Sequence, residues 1–267
     1  MQTIELERLR IKPGQLVLDA GCGTGRHLMA AMGCPGVYVV GVDLNWEDLC
    51  RSRDSLVGYG NPGGLDKSAV AGIDDAGKPC AVIKASVTNL PFQDESFDAV
   101  ICSEVLEHIR ENHEAVRELV RVLKPKGTLA ISVPRYLPER ICWAISRAYH
   151  QEPGGHIRIY RKGELQTLFT SSGLSCLKVN YKHALHAPYW WLKCVVGHKN
   201  NTSRLVSLYR RLLEWDIMKR PVVTTLIERL LNPLIGKSMV FYLKKGRRPR
   251  KKSGCCVALH PSSLRRT

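Results

Sequence analysis

The chain of 267 residues is long enough for one sizeable α/β domain with additions, and its 44% hydrophobic content is ordinary for a globular protein. Its net charge of +16 is concentrated near the C-terminus, because residues 244–267 carry nine of these charges and no acidic residue. No apolar run is long enough to span a bilayer, residues 1–13 lack the apolar core of a secretory signal, and the ten cysteines show no zinc-ligand spacing. We therefore expect a cytoplasmic protein without a metal site.

A short apolar stretch followed by closely spaced glycines stands near the N-terminus. Residues 15–20 predict a buried strand that contains Asp19 near its end and leads through the glycines into a helix. The glycines are Gly21, Gly23 and Gly25. Glycine lets the backbone approach a ligand closely, and the N-terminus of the following helix offers free N–H groups. The NAD-binding fingerprint needs a small residue at position 26, where this chain has Arg26, so the turn predicts a different nucleotide-type cradle.

Residues 37–43 form a second short apolar run, which ends in Asp43. The run is rich in β-branched residues and too short for a helix, so it predicts a strand. A carboxylate at the tip of this strand can accept hydrogen bonds from two vicinal ribose hydroxyls. Alternatively, Asp43 caps a helix over residues 46–55. The glycine turn occurs together with this acid, which favours the ribose role.

The remaining apolar runs alternate with helical segments. Residues 58–79 are rich in Gly, Asp and Pro and predict an irregular insertion before a strand near residues 81–85. A helix is predicted from Glu104 to about Leu123. The first part of residues 90–103 predicts a turn-rich loop and the second part a buried strand, and further strands are predicted at residues 128–133, 174–182 and 237–243. This alternation implies right-handed crossovers and a doubly wound, mostly parallel sheet.

Four motifs in order across residues 10–135 resemble the type 11 branch of the class I S-adenosylmethionine (SAM) methyltransferases. They are the glycine turn, the strand that ends in Asp43, the block LPFQDESFDAVICSEVLEHI and the segment RVLKPKGTLAISVP. The resemblance implies SAM as the cofactor. It also implies a Rossmann-like sheet of seven strands in which only the last strand is antiparallel.

The resemblance also implies roles for particular residues. Asp19 and the glycine turn would hold the methionine part of SAM, Asp43 would hold its ribose, and the loop before Leu90 would flank its adenine. The implied cofactor-binding residues are Asp19, Gly21, Cys22, Gly23, Gly25, Asp43, Leu44, Ser86, Val87 and Ser103. Ser86 stands where the family usually has an acid, so the adenine contact falls to its hydroxyl or to the backbone near Val87, unless Ser86 is only a loop residue.

Two residues are candidates for the chemical step. His156 lies in a Gly-His-x-Arg-x-Tyr segment that resembles an acceptor-side loop of these enzymes, and a neutral imidazole can take a proton near pH 7. The alternative is a structural histidine, the role that we expect for His27 and His108. Glu104 either faces the SAM sulfonium or only begins a helix, where its charge favours the helix dipole.

The C-terminal third of the chain is less familiar. Residues 1–183 with 237–243 are predicted to form the methyltransferase core, residues 184–236 a helical insertion, and residues 244–267 a disordered basic tail. Apolar residues recur at helical spacing within 203–219, which predicts a lid over a lipophilic acceptor, a helix in a membrane interface, or a subdomain packed on the sheet.

Together these features predict a SAM-dependent methyltransferase that acts on a small or lipophilic acceptor, with peripheral membrane contact through the insertion and the tail. The main alternative is an RNA or protein methyltransferase that uses the basic tail to hold its substrate, and nucleic acid is the less favoured partner. A non-catalytic SAM-binding protein is the third interpretation. The atom that receives the methyl group does not follow from the fold.

Overall fold

The computed structural model describes residues 2–57, 69–73, 79–200 and 202–247, and its core is one mixed sheet. The strands are β1 (Leu16–Ala20), β2 (Tyr38–Asp43), β3 (Ala69–Ile73), β4 (Pro79–Lys84), β5 (Phe97–Ser103), β6 (Leu123–Pro134), β7 (Leu174–Lys182) and β8 (Ser238–Lys245). They lie in the order β3-β4-β2-β1-β5-β6-β8-β7. The order in which the chain adds strands reverses at β1, which lies between β2 and β5. Ligands bind at this switch point in open α/β sheets.

Helices cover both faces of this sheet. They are α1 (Arg26–Met32), α2 (Trp46–Val57), α3 (Asn112–Val122), α4 (Tyr136–Ile145), α5 (Arg147–His150), α6 (Lys162–Ser171), α7 (His186–Val196), α8 (Arg204–Lys219) and α9 (Val222–Ile235). Short 3-10 turns occur at Leu6–Leu9 and Leu106–His108. Val17 and Leu18 of β1 are fully buried yet belong to different hydrophobic clusters, because successive side chains point to opposite faces of a strand. A strand buried on both sides is typical of doubly wound folds.

The predicted Rossmann-like sheet of seven strands is confirmed, and the structure adds β3 as an eighth strand. β8 pairs antiparallel with both β6 and β7, whereas β1, β2, β4, β5 and β6 pair in parallel. The prediction of an irregular insertion is wrong for residues 69–73, which form β3 and add an antiparallel edge strand to β4. This strand is formed by backbone hydrogen bonds to β4. Such pairing needs no periodic pattern of apolar residues, so the sequence pattern did not predict it. Residues 58–68 and 74–78 lie outside the described part of the chain.

The predicted boundary of the basic tail needs a correction. β8 continues to Lys245, where it pairs with Leu174, so residues 244 and 245 belong to the sheet. Lys245 Nζ donates to the backbone carbonyl oxygens of Val120 and Leu123, each at 2.7 Å. Residues 248–267 lie outside the described residues.

Helices α8 and α9 expose an unusual amount of apolar surface. Of α8 only Val206 and Leu213 are buried, and α9 has no buried residue. The exposed large apolar side chains are Leu205, Leu208, Leu212, Trp215, Ile217, Met218, Val222, Val223, Leu226, Ile227, Leu230 and Leu234. The expectation that this stretch packs on the sheet therefore fails for most of it. Within the described residues, no helix is both long and apolar enough to cross a bilayer.

Candidate active site

A cavity of about 700 Å³ opens at the carboxyl ends of β1, β2, β4 and β5. This position is the switch point of the sheet, where strand ends and the loops that follow them converge. Its walls include residues 21–24, Arg26, His27, Asp43, Leu44, residues 85–88, residues 103–105 and residues 108–111. Most of the predicted cofactor-binding residues therefore meet in one place. The exceptions are Asp19, a buried residue of β1, and Gly25, which immediately precedes α1.

The glycine turn approaches its neighbours so closely that side chains are excluded. Gly21 and Gly25 have φ angles of +78° and +84°, in the left-handed region that favours glycine. A Cβ at Gly21 would collide with the Val105 side chain, and one at Gly25 would collide with the Ser52 hydroxyl. The turn therefore presents bare backbone to the cavity.

Asp43 connects the glycine turn to the end of β2. One carboxylate oxygen accepts a hydrogen bond from Gly23 N–H at 2.8 Å, and the other accepts from Asn45 N–H at 2.8 Å. The alternative role of Asp43 as the cap of α2 is wrong, because the Asn45 side chain accepts from Glu47 N–H at 3.0 Å at the start of that helix. Asp43 lines the cavity, and each carboxylate oxygen can accept a further hydrogen bond.

Asp19 is a buried carboxylate whose negative charge is only partly compensated by its surroundings. It is 1% exposed, and neither oxygen has a hydrogen-bond partner within the described residues. Burial raises the pKa of Asp19 to about 7, and the Leu28 backbone and the Arg26 charge counteract this only in part. Such a group is costly in an empty protein and is the kind of site that a cationic ligand group would relieve.

The wall after β4 is a compact turn. Ser86 Oγ lies 2.7 Å from Thr88 Oγ1 and accepts a hydrogen bond from Thr88 N–H at 3.2 Å. Ser86 and Val87 both line the cavity, in the region that the resemblance assigns to adenine. The Ser86 hydroxyl thus shapes its own loop and also faces the cavity.

The wall after β5 is a strained turn and not a helix. Glu104 has a φ of +56°, an uncommon conformation for a side-chain-bearing residue. Its carboxylate accepts from Ser132 Oγ at 2.9 Å, and Ser132 Oγ lies 2.8 Å from Ser103 Oγ. The predicted helix from Glu104 is wrong, since α3 begins only at Asn112. The turn places Glu104 on the cavity wall, so the interpretation that it only begins a helix is also wrong.

His156 lies behind the cavity wall. Its Nδ1 is 2.6 Å from an oxygen of Glu139, which is 1% exposed, and its ring contacts that of His108 at a centroid distance of 5.1 Å. His108 itself lines the cavity, and its Nδ1 is 3.1 Å from the Gly155 carbonyl oxygen. The sequence expectation that His108 only packs therefore missed a wall residue. The signal was present, since His108 belongs to the block that carries the resemblance.

A buried acid also meets two histidine side chains next to the cavity wall. Glu107 is fully buried and has no hydrogen-bond partner for either oxygen within the described part of the chain. Burial raises the pKa of Glu107 well above its usual range, and the nearby Glu104 carboxylate adds to this effect. Glu107, His108 and His156 have donor atoms within 4.8 Å of one another, close enough to share a metal ion.

The helical insertion does not contribute to the cavity wall. None of the described lining residues belongs to residues 184–236. The insertion is instead attached to the core through Trp191 Nε1, which donates to the Pro138 carbonyl oxygen at 3.0 Å, and through the Leu234 carbonyl oxygen of α9, which accepts from Arg135 Nη1 at 3.0 Å. Its role as a lid stays a prediction.

Comparison with known proteins agrees with this arrangement. Residues 18–131 match the model of a family described as "Methyltransferase domain". Residues 18–131 therefore form a methyltransferase domain. The chain is 30% identical over 159 residues to cycloartenol-C-24-methyltransferase of Arabidopsis thaliana, an alignment that covers 60% of this chain and 40% of that protein. It is also 32% identical over 127 residues to botryococcene C-methyltransferase of Botryococcus braunii, covering 46% and 28%.

The fold is shared with solved structures. Geranyl diphosphate methyltransferase in complex with SAM superposes with a TM-score of 0.58 at 14% identity, covering 90% of this chain and 82% of the other. At this identity the likeness concerns the fold alone. The chain spans less than half the length of the curated relatives that it matches.

The residues of the methyltransferase domain fit SAM in charge and shape. The unpaired carboxylate of Asp19 lies under a turn whose glycines leave room for a ligand against the backbone. Asp43 and Leu44 would hold the ribose, and Ser86 and Val87 would flank the adenine. Ser103 and Glu104 line the other end of the same cavity.

Proposed function

We propose that this chain transfers a methyl group from SAM to a lipophilic acceptor that it meets at a membrane surface. The observation that carries the proposal is a cavity lined by the glycine turn and Asp43, together with the buried Asp19 carboxylate two residues before that turn. A nucleoside with a cationic amino acid attached satisfies all three features, since the ribose has vicinal hydroxyls and the amino group carries a positive charge.

The protein's contribution to such a reaction is orientation and exclusion of water. SAM, when bound, supplies an electrophilic methyl group on a sulfonium. The chain holds the donor in one position, and orientation of this kind can contribute roughly 7–11 kcal/mol. The Glu104 carboxylate, fixed by Ser132, provides negative charge on the cavity wall near the acceptor end.

We assign contact with the acceptor to His108 and a positioning role to His156. His108 is on the wall, whereas His156 reaches the cavity only through its contact with His108. Burial, and then repulsion by His156, lower the pKa of His108, so this imidazole is neutral at pH 7 and able to accept a proton. The Glu139 carboxylate holds His156 in place.

The lipophilic class of the acceptor rests on the relatives and on the insertion. The matched relatives are named as methyltransferases of cycloartenol and botryococcene, and others as methyltransferases of squalene. The apolar side chains exposed by α8 and α9 are bordered by exposed arginines, among them Arg204, Arg210 and Arg211. An apolar face with cationic borders suits an anionic membrane, where such an acceptor would reside.

The experiment is an untargeted search for the methylated product. The protein is incubated with isotopically labelled SAM and a total lipid extract, and the products are analysed by mass spectrometry, with Asp43→Ala as the inactive control. We expect label in a lipid fraction that disappears in the control. Label that enters only RNA or protein from a whole-cell extract would overturn the acceptor class. SAM binding without label in any fraction would overturn the activity.

A further inference from the structure

A second group of potential ligands lies outside the cavity, where the insertion leaves the sheet. His183 follows β7 directly, His186 is the first residue of α7, and Glu228 lies on α9. These three residues bring one donor atom each to within 4.8 Å of one another. Glu228 is more than forty residues from the two histidines in the sequence, so tertiary folding brings it to them.

The ring nitrogens of the two histidines make few hydrogen bonds within the described part of the chain. His186 Nδ1 is buried and has no hydrogen-bond partner within the described residues. His183 is 6% exposed, and its Nε2 lies 3.2 Å from Thr3 Oγ1. Such a contact on one ring nitrogen is typical of metal-binding histidines, whose other nitrogen holds the ion. A buried imidazole nitrogen without a partner costs stability unless something binds it.

The backbone at this point is also unusual. His183 has a φ of +66°, in the left-handed region that residues with a Cβ rarely adopt. This turn brings the His183 ring to 5.5 Å from the ring of His186, measured between centroids. Strain of this kind is characteristic of ligand-binding sites.

We propose that His183, His186 and Glu228 form a binding site for a transition-metal ion of the zinc class. Two imidazoles and one carboxylate are the three-ligand set of zinc sites that keep a fourth position open. Mg²⁺ and Ca²⁺ prefer oxygen ligands, so the two nitrogens select against them. The proposal is independent of methyl transfer.

Charges of both signs surround the group, because Lys237 interacts electrostatically with both histidines and Arg26 interacts with His183. Asp216 on α8 interacts electrostatically with both His186 and Glu228, which adds negative charge near the three ligands. Lys182 is the nearest chain neighbour of opposite effect, and it forms an ion pair with Glu5.

A metal ion at this point would connect three parts of the molecule. The connected elements are the end of β7, the first turn of α7 and the middle of α9. The ion would therefore fix the exposed apolar helices relative to the sheet. We expect it to raise the stability of the insertion by the linkage between binding and folding.

The test uses the untagged full chain, stripped with a chelator and then titrated with Zn²⁺. Bound zinc is counted by elemental mass spectrometry, its affinity is measured by competition with a chromophoric chelator, and Co²⁺ is used as a spectroscopic probe of four-coordinate geometry. We expect a zinc ion that His186→Ala weakens on the order of 100-fold and Glu228→Gln at least tenfold, with loss of the Co²⁺ absorption. His113→Ala and Glu214→Gln, at exposed positions, are the matched controls and should bind as the wild type does.

Three results would overturn the proposal. The first is no zinc bound to the wild type above the level of an unrelated control protein. The second is wild-type affinity in both His186→Ala and Glu228→Gln. The third is a zinc ion that is lost in His108→Ala and kept in His186→Ala, since that ion would belong to the group at the cavity.

Circular dichroism of each variant confirms that it is folded, and the Glu228→Gln substitution keeps the side-chain shape.

Discussion

At the scale of single residues, Asp19 shows how a ligand site is held at a cost to the empty protein. Its carboxylate is buried and unpaired beneath the glycine turn, where an apolar residue or an amide would be more stable. Proteins commonly accept such instability at positions that bind a ligand.

This cost predicts a pH-dependent gain in stability for Asp19→Asn. Burial raises the pKa of Asp19 to about 7 in the folded chain, from a usual value of 3.8, so the folded state binds the extra proton and wild-type stability falls as pH rises from about 4 through 7. The variant should therefore exceed the wild type at pH 8 by up to about 4 kcal/mol and match it near pH 3. Urea unfolding at several pH values measures the difference, with exposed Asp54→Asn as the control. A difference that does not grow with pH would contradict the raised pKa.

Asp43 has the opposite character, because its carboxylate is exposed to the cavity and already organised by Gly23 and Asn45. Removing it should weaken SAM binding at least tenfold, since a bidentate carboxylate contact and the support of the glycine turn are lost together. Calorimetric titration of Asp43→Ala measures this, and Asp48→Ala on the adjacent helix α2 provides the control. Unchanged affinity in Asp43→Ala would exclude the ribose role.

At the scale of elements, α8 and α9 show whether an amphipathic helical pattern serves packing against the core or attachment to another surface. The apolar residues of α8 recur at helical spacing, which by itself is equally typical of packing and of surface attachment. Only Val206 and Leu213 pack inward, and residues such as Leu208 and Leu230 are each 67% exposed. An apolar surface of this extent is typical of an interaction site.

This surface predicts vesicle binding that depends on particular leucines. The double substitution Leu208→Ser and Leu230→Ser should leave the melting temperature nearly unchanged, because both side chains are exposed in the isolated chain. Binding to anionic vesicles should fall at least tenfold, since burial of the two side chains in the interface is lost. Co-sedimentation measures the binding, and Leu177→Ser, at an exposed leucine of β7, serves as the control. Equal loss in the control would show that the effect is not specific to α8 and α9.

At the scale of the whole molecule, the positive charge has two locations. Residues 248–267 carry six of the sixteen net charges, and the remainder lies on residues 1–247. A truncation intended to remove the basic segment must begin after Arg247, because Lys244 and Lys245 belong to β8.

Truncation after Arg247 distinguishes the two classes of partner. If α8 and α9 provide the membrane contact, the truncated chain should keep most of its vesicle binding and its thermal stability. Affinity for RNA, where present, should fall and become less sensitive to salt, because phosphate contacts release counterions. Vesicle and RNA binding are compared for both chains at two salt concentrations. Loss of all vesicle binding on truncation would assign the membrane contact to the basic segment.

The sequence by itself determined the sheet and the donor-side wall of the cavity. The local signals are the glycines at positions 21, 23 and 25 before Arg26 and the acid at the end of each of two apolar runs. Parallel strands necessarily bring such strand ends to one edge of the sheet. Gly21, Asp43, Ser86 and Ser103 line the cavity as predicted from their motifs. These positions are readable because local backbone requirements and strand order fix them.

Only the tertiary structure decided which groups meet across the chain. His156 is separated from the cavity by His108, and Glu104 reaches the wall through a left-handed turn that no propensity predicts. The contact of His183 and His186 with Glu228 joins segments more than forty residues apart in the sequence. Contacts of this kind depend on how whole elements pack, whereas sequence patterns report only the local preferences of each element.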